Sequence, residues 1–101
     1  RIGDPQVVPA LIQALGDGDW NVRAAACEAL GAIGTPQVVP ALIRALGDGD
    51  RDVRDAARWA LGRIGDPQAV PALEKVARRD FSWAGEAAFE ALRKIRERNQ
   101  R

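Results

Sequence analysis

The sequence predicts an all-α protein made by stacking two-helix units, and three observations carry that prediction. Isoleucine recurs at Ile2, Ile33, Ile64 and Ile95, a period of 31 residues, and the intervening segments align without gaps. Residues 2–32 and 33–63 agree at 23 of 31 positions, while residues 64–94 keep 12 of 31 against the second copy. Apolar residues fall at helical spacing in each copy, and no alternation suggests a strand. A fixed period between about 20 and 50 residues marks repeated supersecondary units that bury their apolar faces against one another.

Each element follows from local chemistry. Asp4, Thr35 and Asp66 are N-cap types followed by proline, which suits a first helical position. Helix A of the first copy should run to about Leu15, with Gly16 as its stop. Pro9 falls at the fifth helical position, where it loses a backbone bond and crowds the carbonyl four residues back. The first turn is therefore expected as a separate turn or 3₁₀ segment, with regular helix from near Val8. Gly16-Asp17-Gly18 makes the next turn; Asp19 caps helix B, which runs to about Ile33 before Gly34 ends it. In the third copy, residues 78–86 (RRDFSWAGE) replace the Gly-Asp-Gly-Asp turn and the Val-Arg pair. The expected organisation is one domain, residues 1–101, with repeats at 2–32, 33–63 and 64–95 and a polar tail at 96–101.

At 100° per residue, helix A gathers Val7, Val8, Leu11, Ala14 and Leu15 within about 120° of arc. Ile12 sits just off that stripe, where a neighbouring repeat could cover it. Val22, Ala25, Ala26, Ala29, Leu30 and Ile33 form a stripe of about 140° on helix B. One hairpin with two narrow, Ala-rich stripes cannot stand alone, so stacked neighbours must complete the core.

The strings IGDPQVVPALIQALGDGDWNVRAAACEALGAIG, IGTPQVVPALIRALGDGDRDVRDAARWALGRIG and IGDPQAVPAL resemble the short HEAT-like repeats of phycobilin lyases. They are also similar to idealised artificial proteins built from that repeat's consensus. The resemblance implies a right-handed α-solenoid, an α-α superhelix with the B helices lining a concave face. It further implies a binding scaffold, since such arrays mostly bind and only some members attach bilins.

Composition removes other classes. Fifteen Lys and Arg against fourteen Asp and Glu leave +1, which gives no electrostatic reason to expect a nucleic-acid or membrane-surface partner. The same balance opposes a DNA glycosylase of the HEAT-like type. With no His there is no His acid/base chemistry and no His metal ligation. The single Cys27 excludes an intrachain disulfide and a Cys-based zinc site, though on its helix it could be exposed and reactive. The acidic turns would repel phosphate and are too compact for an EF-hand loop. No cofactor, metal or catalytic residue is expected, and no apolar run approaches the roughly 18 residues of a membrane span. A cytoplasmic location is the expectation. The chain opens at Arg1 without Met, in what resembles the tail of a preceding helix B; an excised or designed array with no ligand of its own is an alternative.

Differences between the copies locate a surface. Taking Trp20 as 0°, the differing positions of helix B lie between about −20° and 120°, opposite the core stripe. The tryptophans fall on that face: Trp20, Trp59 and Trp83. Tryptophan is enriched at interface hot spots because it buries a large rigid area and keeps an N–H donor. The expected contact residues are Trp20, Asn21, Glu28, Arg51, Asp52, Asp55, Trp59, Arg63, Trp83, Glu86 and Glu90, facing a protein or peptide. Arg23 and Arg54, each four residues after a capping Asp, should tie the turns of adjacent repeats. Gly31 and Gly62 cost helix propensity and imply close approach of a neighbouring backbone.

The two ends differ. Ile12 and Ile43 become Glu74, and Gly31 and Gly62 become Arg93, which places charge where a following repeat would pack. The first copy has no such changes, so Val7, Val8, Leu11 and Ile12 are expected as an exposed patch for a homodimer contact.

Overall fold

The computed structural model of the chain describes residues 7–79 and 83–100, with the side chains of residues 7–78 and 89–100. Among these residues there are six α-helices and no strand. They are α1 (Val7–Ala14), α2 (Trp20–Ile33), α3 (Val39–Ala45), α4 (Arg51–Ile64), α5 (Val70–Arg79) and α6 (Trp83–Asn99). None of them is long and apolar enough to cross a membrane.

The punctuation follows the capping residues. Asp19 accepts a hydrogen bond from the Asn21 amide at 2.8 Å, and Asp50 accepts from Asp52 at 2.8 Å and Val53 at 3.3 Å. Gly34 and Gly65 end α2 and α4 in the left-handed region, at φ 77° and 74°. Pro40 and Pro71 split their helices as expected: 3₁₀ turns at Pro36–Val38 and Pro67–Ala69 precede α3 and α5.

The helices form two layers. α1, α3 and α5 pair with α2, α4 and α6 respectively, and α4 packs between α2 and α6. Leu30, Leu61 and Leu92 recur at the repeat spacing and are all buried in the seams. Each such side chain contributes about 1.5–3 kcal/mol on burial. The seams are tight because their residues are small. A Cβ added at Gly31 would lie 2.8 Å from the Cα of Ala60, and one at Gly62 would lie 3.1 Å from the Cα of Ala91. Backbone therefore approaches backbone, as the glycines imply.

Charged groups latch the turns. Arg23 donates Nε and Nη2 to the two carboxylate oxygens of Asp48 at 2.9 and 3.1 Å, and Nη1 to the Asp17 carbonyl at 2.8 Å. Arg54 repeats the last contact on the Asp48 carbonyl, also at 2.8 Å. Arg23 thus joins its own turn to the next one. Its guanidinium pairs with the turn Asp48, and only its backbone amide reaches the cap, donating to the Asp19 carbonyl at 3.2 Å.

Three expectations need correction. Val22, Ala25 and Ala29 belong to the expected core stripe, yet Val22 is 39% exposed while its equivalent Val53 is 1% exposed. A stripe of this kind is buried only where another helix pair lies against it, as α2 lies against Val53. Cys27, expected on the open face, is fully buried, and its equivalent Arg58 is buried too. Both sit where one B helix meets the next. Phe89 holds the same position on α6, where no further helix follows among the described residues, and it is exposed. Finally, residues 96–99, expected as a tail, continue α6. Arg96 stands where Gly34 and Gly65 end the other B helices, so no left-handed stop interrupts it. Arg98 then donates to the Ile64 carbonyl at 2.9 Å and Asn99 to the Gly65 carbonyl at 3.1 Å, capping α4.

Two predictions follow from this packing. Gly31→Ala would gain about 1 kcal/mol of helix propensity but must displace a backbone, at about 1–3 kcal/mol. A net loss of stability in urea denaturation is expected; a net gain would show that the helices separate freely. Asp48 is held below the usual carboxylate range, chiefly by the Arg23 hydrogen bond. Stability from that pair is present above the unfolded value of about 3.9 and is lost as pH falls through the lower folded value. Asp48→Asn should lower the Tm at neutral pH and flatten its decline below about pH 4. Parallel Tm curves for the two proteins would rule this out.

Candidate functional site

α2, α4 and α6 together frame a groove of about 630 Å³, and every residue lining it belongs to one of those three helices. Its floor is built from Ala24, Ala25, Ala56, Gly62 and Ala91, the small residues that let the helices close up. Because the floor is low, larger neighbours stand up from it. Trp20 and Trp59 line the groove and are 43% and 45% exposed. An open Trp face of that size is unusual in a chain with 5% aromatics and an aliphatic core.

Seven of the eleven expected contact residues meet here: Trp20, Asn21, Glu28, Asp52, Asp55, Trp59 and Glu90. Arg63 does not line this groove but carries its guanidinium over the Trp59 ring, 5.8 Å from the centroid. Together with Lys94 and Arg98 it lines a smaller neighbouring hollow beside Trp59. Arg51 points along the α4 surface, its Nε 3.9 Å from Asp55. Trp83 and Glu86 lie on α6, but their side chains fall outside the described residues.

Lys94, which the sequence sets beside the tryptophan face, also lines the groove, whereas Arg58 was not anticipated there. Arg58 is only 2% exposed, pairs with Asp55 through Nη2, and leaves its Nε without an acceptor among the described residues. A signal existed: Arg58 and Cys27 each lie four residues before a seam glycine, hence on the same ridge. Burial pushes the Cys27 thiol up to about 11, with the charges of Asp48 and Glu28 adding to it. Such a thiol is protonated at neutral pH and shielded, so the reactive-cysteine expectation does not hold.

The outer flank of the first helix pair is a second apolar surface. Leu11, Ala14, Val22, Ala25 and Ala29 line it. Val7 and Val8 are half-buried. Ile12, expected on this flank, instead lines a cleft with Ala41, Arg44 and Ala45 of the next pair. It packs against the core there because it sits off the α1 stripe, toward α3. Among the described residues, no three His, Cys, Asp or Glu side chains are placed to hold a metal ion.

Comparison with known families agrees with this architecture. The family description for HEAT repeats matches residues 1–61, and that for the PBS lyase HEAT-like repeat matches residues 53–79. No curated protein matches the chain. With paired helices stacked through small-residue seams, and more than half its length matched, the chain belongs to the HEAT-repeat family.

Proposed function

We propose that the chain is a non-catalytic scaffold that binds a protein or peptide in the groove across α2, α4 and α6. The observation carrying this reading is the pair of half-exposed tryptophans, Trp20 and Trp59, lining one groove. Rigid aromatic anchors of this kind concentrate binding energy at interfaces. HEAT repeats typically mediate protein interactions, which supports the same reading. A bilin-handling role has less support, because carboxylates at Glu28, Asp52, Asp55 and Glu90 would face the propionates of such a ligand.

A second reading concerns self-association. The contrast between exposed Val22 and buried Val53 supports contact between two copies through the first helix pair. The surface would centre on Leu11, Val22, Ala25 and Ala29, with Val7 and Val8 beside them.

Selection of a random peptide library on the immobilised protein tests the first reading. Selected peptides should lose about 30-fold in affinity on Trp59→Ala, as central Trp hot spots do. The same variant should cost only about 1–2 kcal/mol of folding stability, less than the about 3–5 kcal/mol of a core Trp. Binding that is unaffected by Trp59→Ala would place the site elsewhere. For the second reading, sedimentation velocity should show a concentration-dependent dimer that Val22→Glu shifts to monomer. A monomer at every concentration, indifferent to that substitution, would dispose of it.

A further inference from the structure

The groove asks two different things of an occupant. Four carboxylates line it, from Glu28, Asp52, Asp55 and Glu90, against the two cations Arg58 and Lys94. Asp55 is already paired with Arg58, and Glu90 with Arg93. Glu28 and Asp52 have no cationic partner among the described residues. The walls therefore favour positive charge. The floor asks for the opposite, because Arg58 lines it with a guanidinium, a group of hydrogen-bond donors that suits an oxygen acceptor.

A simple anion would satisfy the floor and be repelled by the walls, while a simple cation would do the reverse. A peptide with basic side chains meets both demands, since its main chain offers carbonyl oxygens. Geometry narrows the position of the basic group. Glu28, Ala56 and Trp59 line a recess of about 290 Å³, which sets a carboxylate beside an indole above a methyl floor. Arginine is the side chain that both stacks on an aromatic face and pairs in the plane with a carboxylate. Within the chain itself the Arg63 guanidinium lies over the Trp59 ring, 5.8 Å from its centroid.

We infer that the partner segment is a cationic peptide that seats an arginine between Glu28 and Trp59 and turns main-chain carbonyls toward Arg58. This rests on the peptide-binding reading above and adds the charge class of the ligand. The test uses a capped peptide of alternating arginine and glycine and its glutamate counterpart, titrated against the full chain by tryptophan fluorescence at low and high salt. The arginine peptide should bind and weaken with salt, and the glutamate peptide should not bind. Glu28→Gln, an exposed change whose fold circular dichroism can verify, should weaken the arginine peptide about fivefold, the scale of one exposed charged contact. Equal binding of both peptides, or binding untouched by Glu28→Gln, overturns the inference. Library peptides that need Trp59 yet are apolar or acidic would also overturn it, while leaving the peptide-binding reading intact. The absence of any Trp59-dependent binder removes both.

Discussion

Everything in this molecule depends on how closely the B helices approach one another. At Gly31 there is no room for a methyl group between α2 and α4, and at Gly62 one would press on Ala91 of α6 at 3.0 Å. That proximity explains the glycines and alanines at the points of closest approach, while Leu30, Leu61 and Arg58 are buried beside them. Trp20 and Trp59 stand half-exposed along the groove, and the Trp59 ring covers Gly31, where an added Cβ would lie 2.9 Å from its Cζ3. The groove is thus a by-product of packing as much as a feature in its own right. Its floor is the seam, and the tryptophans stand along it.

Electrostatics does a separate job at the turns. The chain reverses direction over very short Gly-Asp-Gly-Asp segments, which leave carbonyls and amides without helical partners. Asp48 answers several of these needs together: it takes both donors of Arg23, accepts from the Asp50 amide at 2.9 Å, and offers its own carbonyl to Arg54. A part-buried carboxylate of this kind links two successive turns through bidentate geometry, which a lysine in place of Arg23 would not reproduce. The third copy has Arg79 where Asp48 would recur, so that position supplies no carboxylate for Arg54.

Much of this could be read from residues alone. Caps at Asp19, Asp50 and Asp66, stops at Gly34 and Gly65, and proline-split first turns are local chemistry, and the structure carries them where the sequence placed them. The close approach at Gly31 and Gly62 was legible because glycine inside a helix otherwise costs stability. What escaped was non-local. Angular position on an isolated helix cannot say whether a residue at the margin of a stripe meets another helix, and so Cys27 was misplaced and Arg58 missed. Val22 and Ile12 show the same limit: their exposure depends on which side carries a neighbour. The site was legible to the extent that its residues stand on the free arc of one helix. Its floor cation, Arg58, was hidden by its place at the margin.

The continuation of α6 past Arg96 bears on the order in which the array comes apart. Linear stacks open from whichever end is held least, because each unit touches only its neighbours. At one end Arg98 and Asn99 fasten the last helix onto the carbonyls that close α4. Opening there must break those bonds as well as the α4–α6 seam. At the other end α1 is short and contains no fully buried residue. Among the described helices, amide exchange with solvent should therefore begin at α1 and come last where α6 is fastened to α4. Any segment seated near Trp20 would meet the loosest part of the scaffold, and one seated near Lys94 the firmest.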